Sequence, residues 1–399
     1  MNRFIPLSIP NFEGNERKYV DDALDQGWVS TGGAYITQLE KMLSEYLGVE
    51  DVVACQSGTS GLHLAMIESG VKPGDMVIVP SLTFIAAVNP VRYQFAEPVF
   101  MDCDDGLCLD PHKLLSFCEE ECKLTDDGLK YKKNNRIIKA IVVVHVFGNL
   151  ADMESIMDIA HRFKLSVIED ATEALGSKYL NGRYKGKFAG TIGDYGVYSF
   201  NGNKIITTGG GGAVTAKNST SAEHIRYLST QAKDDALCYV HNEVGYNYRM
   251  TNLQAALGVA QMEELPEFIN RKQKNYLQYK NLFRNYPYAE LMDFREGTES
   301  NKWFYSLQFN KDFLDRFHDG GDGIKSLICK LMDYGVQTRP IWGLVHKQAP
   351  YKNYFSYHIE HANEYADTVI NIPCSTQLTE DDIAYVVDVI KQISKESYV

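Results

Sequence analysis

The sequence predicts an α/β protein: a large domain with a mostly parallel, mixed sheet flanked by helices, plus a smaller C-terminal α/β domain. Three observations point there. From about residue 50, short β-rich runs alternate with helical patterns, which implies parallel pairing covered by helices on both faces. A long helix-periodic stretch follows at 253–282, and the rest of the chain again mixes strands and helices. The length of 399 residues is more than one hydrophobic core usually fills and suits one large domain and one small one. We divide the chain into residues 1–265, with the N-terminal segment included, and residues 266–399.

The elements follow in order. Residues 52–55 (VVAC) read as a strand, 60–69 as a helix, 76–80 as a strand ending in proline, 84–93 as a helix and 98–101 as a strand. Residues 137–147 form a strongly apolar strand, 153–163 a helix, and 165–169 and 194–200 two further strands. Between them, the charged stretch 118–136 (EEE, TDDG, KYKKNNR) reads as a solvated surface excursion. The periodic stretch 253–282 is expected to break near Pro266 and to link the two domains. Strands at 304–309 and 336–339 and helices at 324–334 and 381–393 complete the smaller domain.

With 44% apolar and 23% charged residues, the chain has enough of the first for a core and of the second for a surface. The net charge of −12 repels bulk nucleic acid and anionic membrane, so neither is an expected partner. The start, MNRFIPLSIPNFEGNE, lacks the apolar run of a signal peptide, and no apolar run approaches the roughly 20 residues that span a bilayer. The eight cysteines are scattered without a C-x-x-C pair. No metal site is expected, and reduced thiols suit a cytoplasmic protein.

Ligands of α/β sheets bind at the carboxyl ends of the strands. The run Tyr198-Ser199-Phe200-Asn201-Gly202-Asn203-Lys204 carries an aromatic strand through small polar residues to one cation, with four glycines at 209–212. An amine in a partly desolvated pocket loses its proton more easily and attacks aldehydes, which makes Lys204 the candidate nucleophile. Residues 56–61 (QSGTSG) follow a strand and open a helix. They form an anion site through Gly58, Thr59 and Ser60, or else Thr59 or Ser60 simply caps the helix. Asp170 ends a strand, where a carboxylate binds metal, ribose or a ring nitrogen, or caps the next segment. Glu173 either completes a capping box with Asp170 or faces a cofactor's phenolic oxygen. Phe84 is core or stacks on a planar cofactor. His145, also at a strand end, reads as a packed core residue. Together these are the parts of a pyridoxal 5'-phosphate site: a phosphate cup, an aromatic face, a carboxylate for the ring nitrogen and a lysine for the aldehyde.

The motifs GWVS (27–30), SGTS (57–60), PSLTF (80–84), EDA (169–171), SFNGNK (199–204), GYNYRMTN (245–252) and VQTRP (336–340) occur in an order that resembles the DegT/DnrJ/EryC1/StrS family of sugar aminotransferases over nearly the whole chain. The resemblance implies a fold-type I aminotransferase and a homodimer with active sites at the subunit boundary. It makes Lys204 the Schiff-base lysine and Asp170 the partner of the pyridine nitrogen. Gly58, Thr59, Ser60 and Ser199 match the phosphate cup, Phe84 the stacking aromatic, and Asn247 a phosphate contact from the partner subunit. Arg249, also from the partner, His346 and, more weakly, Arg339 resemble contacts to a nucleotide diphosphate, where a guanidinium fork suits phosphate. For Arg249 and Arg339 the structural alternative is an ion pair across the interface.

There are departures. Glu173 stands where many relatives have glutamine, and Leu344 interrupts the usual proline-rich run after Trp342. The insertion at 118–136 has no assigned role. A branch of the fold that removes a sugar hydroxyl has histidine in place of the lysine, and Lys204 argues against it.

The subgroup the chain most resembles, that of the legionaminic-acid and bacillosamine pathways, aminates C4 of UDP-linked 4-keto-6-deoxy N-acetyl hexosamines with glutamate as donor and 2-oxoglutarate as by-product. The expectation is therefore a cytoplasmic enzyme of glycan biosynthesis. Alternatives are C3 amination of a dTDP- or UDP-linked keto sugar and C4 amination of a GDP-linked one. From other classes come a non-catalytic cofactor-binding regulator and a nicotinamide dehydrogenase. The latter is suggested by the glycine run but lacks the G-x-G-x-x-G spacing before a helix.

Overall fold

The structure is a computed structural model that describes residues 3–235, 237–317 and 323–396. After two helices, α1 (Glu16–Asp25) and α2 (Ala34–Leu47), come β1 (Val52–Cys55), α3 (Gly58–Glu68), β2 (Met76–Pro80), α4 (Asn89–Tyr93) and β3 (Glu97–Met101). The chain continues through α5 (Pro111–Glu120), β4 (Cys122–Thr125), β5 (Gly128–Tyr131), β6 (Ile137–Val144), α6 (Met153–Phe163) and β7 (Ser166–Asp170). It then forms β8 (Lys178–Tyr179), β9 (Tyr195–Ser199), β10 (Gly212–Ala216) and α7 (Ser219–Ser229). The helix α8 (Asn252–Leu282) leads to β11 (Ala289–Leu291), β12 (Thr298–Glu299), β13 (Tyr305–Phe309) and α9 (Lys311–Leu314). Last come α10 (Gly323–Asp333), β14 (Arg339–Pro340), β15 (Ser356–Tyr357), α11 (His361–Thr368), β16 (Val369–Ile372) and α12 (Glu380–Glu396).

The main sheet has the order β1-β10-β9-β7-β6-β2-β3-β15. The strands from β9 to β15 are mutually parallel. β10 is antiparallel to both neighbours, so β1 runs with the rest. One consequence decides where chemistry happens. The carboxyl ends of β1, β2, β6, β7 and β9 all open on the same edge, beside the start of β10. The apolar runs VVAC, MVIVP and AIVVV are buried on both faces, as parallel strands under two helical layers must be.

Several expectations change. Within the stretch 118–136, residues 118–120 end α5 and residues 122–131 form a β-hairpin that belongs to the sheet. β4 pairs with β5, and β5 pairs with β6 at Leu129↔Ile138. That edge of β6 is open there because β7 joins only from Ala140. The charges point outward while Leu129 and Tyr131 are buried, which period-2 alternation allows even in a charged run. Residues 84–93 form a 3-10 turn at Ile85–Ala87 and then α4 rather than one helix, with Pro90 in the first turn of α4. The 336–339 strand reduces to an isolated bridge, Ile5↔Val336, and the short β14.

Nor does α8 break at Pro266. Its first half is held to α1 and α2 by Gln261–Glu16 and Tyr35–Asn252 hydrogen bonds, and its second half is held near α12 by Asn275–Ser375 and Gln278–Glu380. Burial of Leu265 and Phe268 beside the proline offsets the lost helical bond. A second sheet, β11-β13-β16-β14, is built from the C-terminal part of the chain. The N-terminal segment packs on that part through Ile5–Gly335 and Leu7–Cys374 backbone bonds, and β15 returns to the main sheet beside β3. Among the described residues, no helix is long and apolar enough to cross a membrane.

Candidate active site

At the shared carboxyl edge lies a cavity of about 370 Å³ lined by Ser57, Gly58, Thr59, Phe84, Asp170, Thr172, Glu173, Ser199, Lys204, Gly210, Gly211 and Trp303, among others. Each reaches it for a local reason. Ser57 is extended (φ −164°, ψ 160°) and caps α3 by accepting from the Ser60 amide at 3.0 Å. The Ser60 hydroxyl returns the bond by accepting from the Ser57 amide at 3.0 Å. This capping box leaves the amides of Gly58 and Thr59, in the first turn, without helical acceptors, and they face the cavity with the positive end of the helix dipole. The cap is thus Ser57, not Thr59 or Ser60. Ser60 is buried and committed to the box instead of lining the cavity.

Ser199 ends β9 opposite this turn. A Cβ on Gly58 would stand 3.0 Å from the Ser199 Cβ and 2.9 Å from the Thr172 Cγ2. The glycine run enters β10. A Cβ on Gly212 would lie 2.6 Å from the Ser57 carbonyl carbon, so glycine is required at that position by close backbone approach. Because the run enters an antiparallel strand rather than a strand-to-helix turn, the dehydrogenase reading has no support.

Asp170 ends β7 with Oδ1 accepting from the Thr172 amide at 3.1 Å. Burial raises its carboxyl above the ordinary range; the Thr172 bonds and the charges of Lys204 and His145 pull the other way. Glu173 is buried too. Burial pushes its carboxyl pKa up to about 7, against the charge of Lys204 and the Phe147 amide. Its Oε1 lies 3.4 Å from Lys204 Nζ, and its Oε2 accepts from the Phe147 amide at 2.8 Å. No capping bond from Asp170 to the Glu173 amide is among its contacts. His145 is fully buried, 2.9 Å from Glu169 Oε2. Glu169 also accepts from the amides of Gly190, Ile192 and Gly193, so this pair builds the scaffold, as expected of a packed histidine. Phe84 stands at the cavity 54% exposed, which leaves its ring face open for a planar ligand.

Two groups escaped the sequence reading. Trp303 covers Lys204, whose Nζ is 4.0 Å from the ring centroid, and its indole N–H donates to the Asn203 carbonyl at 2.6 Å. It comes from just before β13, 99 residues away in the chain, and only the rarity of tryptophan could have flagged it. Thr172, the donor to Asp170, carried no signal beyond its place after a strand.

The substrate candidates lie outside this cavity. Arg249 is bound within its own chain to Glu40 by both guanidinium ends. Asn247 is exposed on the same extended segment. His346 shares a 2.6 Å hydrogen bond with Ser81, and burial lowers its basicity. Arg339 is exposed on β14 and donates to the Thr338 carbonyl at 3.1 Å.

A profile of the DegT/DnrJ/EryC1/StrS aminotransferase family matches residues 10–391. The chain belongs to that family. GDP-perosamine synthase of Caulobacter vibrioides is 36% identical over 394 residues, with 98% of each chain covered. UDP-4-amino-4,6-dideoxy-N-acetyl-beta-L-altrosamine transaminase of Campylobacter jejuni is 27% identical over 92% of this chain and 91% of its own. A solved DegT/DnrJ/EryC1/StrS aminotransferase from Brucella abortus superposes with a TM-score of 0.84 over 95% of each chain at 25% identity.

The protein is therefore a sugar aminotransferase, and aminotransferases of this family depend on pyridoxal phosphate. The cavity fits that cofactor. Two unfilled helix amides and a hydroxyl face the space that the absent Gly58 side chain leaves. Asp170 is a buried carboxyl bonded to Thr172 in the wall of the cavity, where it can face a ring nitrogen. Lys204 stands within the same walls.

Proposed function

We propose that this aminotransferase moves an amino group from glutamate to C4 of a nucleotide-linked 4-keto-6-deoxy sugar, with a UDP-linked N-acetyl hexosamine as leading substrate. The observation that carries the reaction is the convergence of Lys204, Asp170, Ser199 and the α3 amides on one cavity. The bound cofactor supplies the electron sink that allows an amine to leave one molecule and join another.

The chain's residues do the rest. Lys204 would hold the cofactor's aldehyde, and its Nζ would move a proton as base and then acid. Asp170 keeps the ring nitrogen protonated. The Gly58 and Thr59 amides and the Ser199 hydroxyl anchor the phosphate. Phe84 and Trp303 cover the reacting centre and exclude water.

The 4-position and the UDP-linked substrate rest on the motif resemblance and on the name of the Campylobacter relative. The higher identity to a GDP-perosamine synthase favours a second reading, C4 amination of a GDP-linked 4-keto-6-deoxy sugar. Incubation with glutamate and each keto sugar in turn, read by mass spectrometry, tests both. A 4-amino product from the UDP sugar is expected. Product from the GDP sugar alone replaces the leading substrate, and product from neither overturns the assignment.

We further propose a homodimer that shares its active sites. Exposed apolar side chains at Trp28, Leu237, Tyr239 and Val244 support it, and light scattering at twice the chain mass of 45.0 kDa checks it. The role of Asn247, Arg249, His346 and Arg339 toward nucleotide or phosphate belongs to that assembly. A cytoplasmic location agrees with eight free cysteines.

A further inference from the structure

Lys204 Nζ has two close neighbours, and they differ in kind. On one side is the face of Trp303 at 4.0 Å, which attracts an ammonium but accepts no proton. On the other is Glu173 Oε1 at 3.4 Å. The Lys204 side chain is 12% exposed and that of Glu173 is 4% exposed, so bulk water is a poor exchange partner for either.

The two oxygens of Glu173 are not equivalent. Oε2 is occupied by the Phe147 amide, donated from a backbone held at φ 55°, ψ 21°, a left-handed conformation that a bulky residue adopts only when its surroundings hold it there. The backbone carbonyl of Glu173 is held by Asn301 Nδ2 at 3.0 Å. Trp303 is pinned as firmly: its carbonyl accepts from the buried Lys272 ammonium at 2.7 Å. Oε1 is thus left facing the lysine amine within a braced frame.

We propose that Glu173 is a catalytic proton relay: its Oε1 takes the proton from the Lys204 ammonium and returns it during the transfer of the amino group. The inference rests on the aminotransferase reading above. In the step, an N–H bond of the ammonium breaks and an O–H bond forms at Oε1. The ion pair becomes a neutral amine and a neutral carboxylic acid, and no other reactant is consumed. Glutamine at this position would keep the hydrogen bond and lose the relay.

The charged and titratable groups facing Glu173 are Lys204, Asp170 and, farther off, the Cys108 thiol. Burial outweighs Lys204, so the carboxyl holds its proton to about pH 7 and loses it above. A relay that must accept a proton works in the ionised form. Activity should therefore rise with pH through that range and level off above it.

The test compares wild type, Glu173→Gln and Glu173→Asp as cofactor-loaded proteins. Two pH series are measured: the visible absorbance of the bound cofactor without substrate, and kcat for glutamate with the keto sugar. In wild type both are expected to show a step near pH 7. In Glu173→Gln the step should vanish from both and plateau kcat should fall about tenfold or more, with KM nearly unchanged. Glu173→Asp should restore a step at a displaced pH.

A Gln protein that superposes on wild type in both series overturns the proposal. Should the Gln protein shed its cofactor, an Asp protein with an unshifted profile overturns it equally. If no sugar is aminated but the absorbance step disappears with Gln, the substrate reading fails and the relay stands. If sugar is aminated and the step persists, only the relay fails.

Discussion

At Gly58 the site depends on one missing carbon. A Cβ there would press on Thr172 and Ser199, closing the space between the α3 amides and the Ser199 hydroxyl where the phosphate belongs. Gly58→Ala is therefore expected to weaken pyridoxal phosphate binding by roughly tenfold, about 1.4 kcal/mol, in an absorbance titration of the apo-protein. Unchanged affinity would place the phosphate elsewhere.

Lys204 and Asp170 could be picked out as candidates because the order of the motifs placed both at strand ends, and the structure brings them to one cavity. Ser57 was misread because two of its neighbours could also cap a helix, and only the backbone angles decide between them. Trp303 was invisible because it arrives across the domain boundary from distant sequence. Arg249 has a partner that the motif did not announce: its guanidinium is held by Glu40, a residue with no local sequence signal.

Among the elements, α8 gives the clearest lesson. A proline inside a periodic run is a fair signal for a break, yet Pro266 sits mid-helix because both flanks are anchored to different partners. Pro266 is exposed, so replacing it relieves the clash without opening the core. Pro266→Ala is expected to raise the thermal midpoint, with a gain of at most ~3 kcal/mol. A lower midpoint would mean that the proline fits a bend the packing needs. The hairpin of β4 and β5 was missed for a related reason: its buried positions, Cys122, Leu129 and Tyr131, are three apolar residues scattered in a charged run. Strands such as β2 and β6 were plain because burial on both faces demands uninterrupted apolar sequence.

For the whole molecule, strand order turns scattered motifs into a site. β1 and β9 are separated in the sheet only by β10, which runs against both. That arrangement puts the helix start after β1, the end of β9 and the glycine turn into β10 side by side. β7 and β6 then bring Asp170 and the Phe147 turn next to them. The sequence announced the alternation of strands and helices but not this order, since nothing local says that β10 inserts between β1 and β9. The domain division is also softer in space than along the chain. α8 spans the 265/266 boundary, the N-terminal segment joins the smaller domain, and β15 joins the larger sheet.

All of these groups converge on one lysine. Borohydride reduction of the cofactor-loaded protein, followed by peptide mass spectrometry, is expected to leave a single pyridoxyl phosphate adduct on Lys204; an adduct on Lys272, Lys302 or any other lysine, or none at all, would show that the site lies elsewhere.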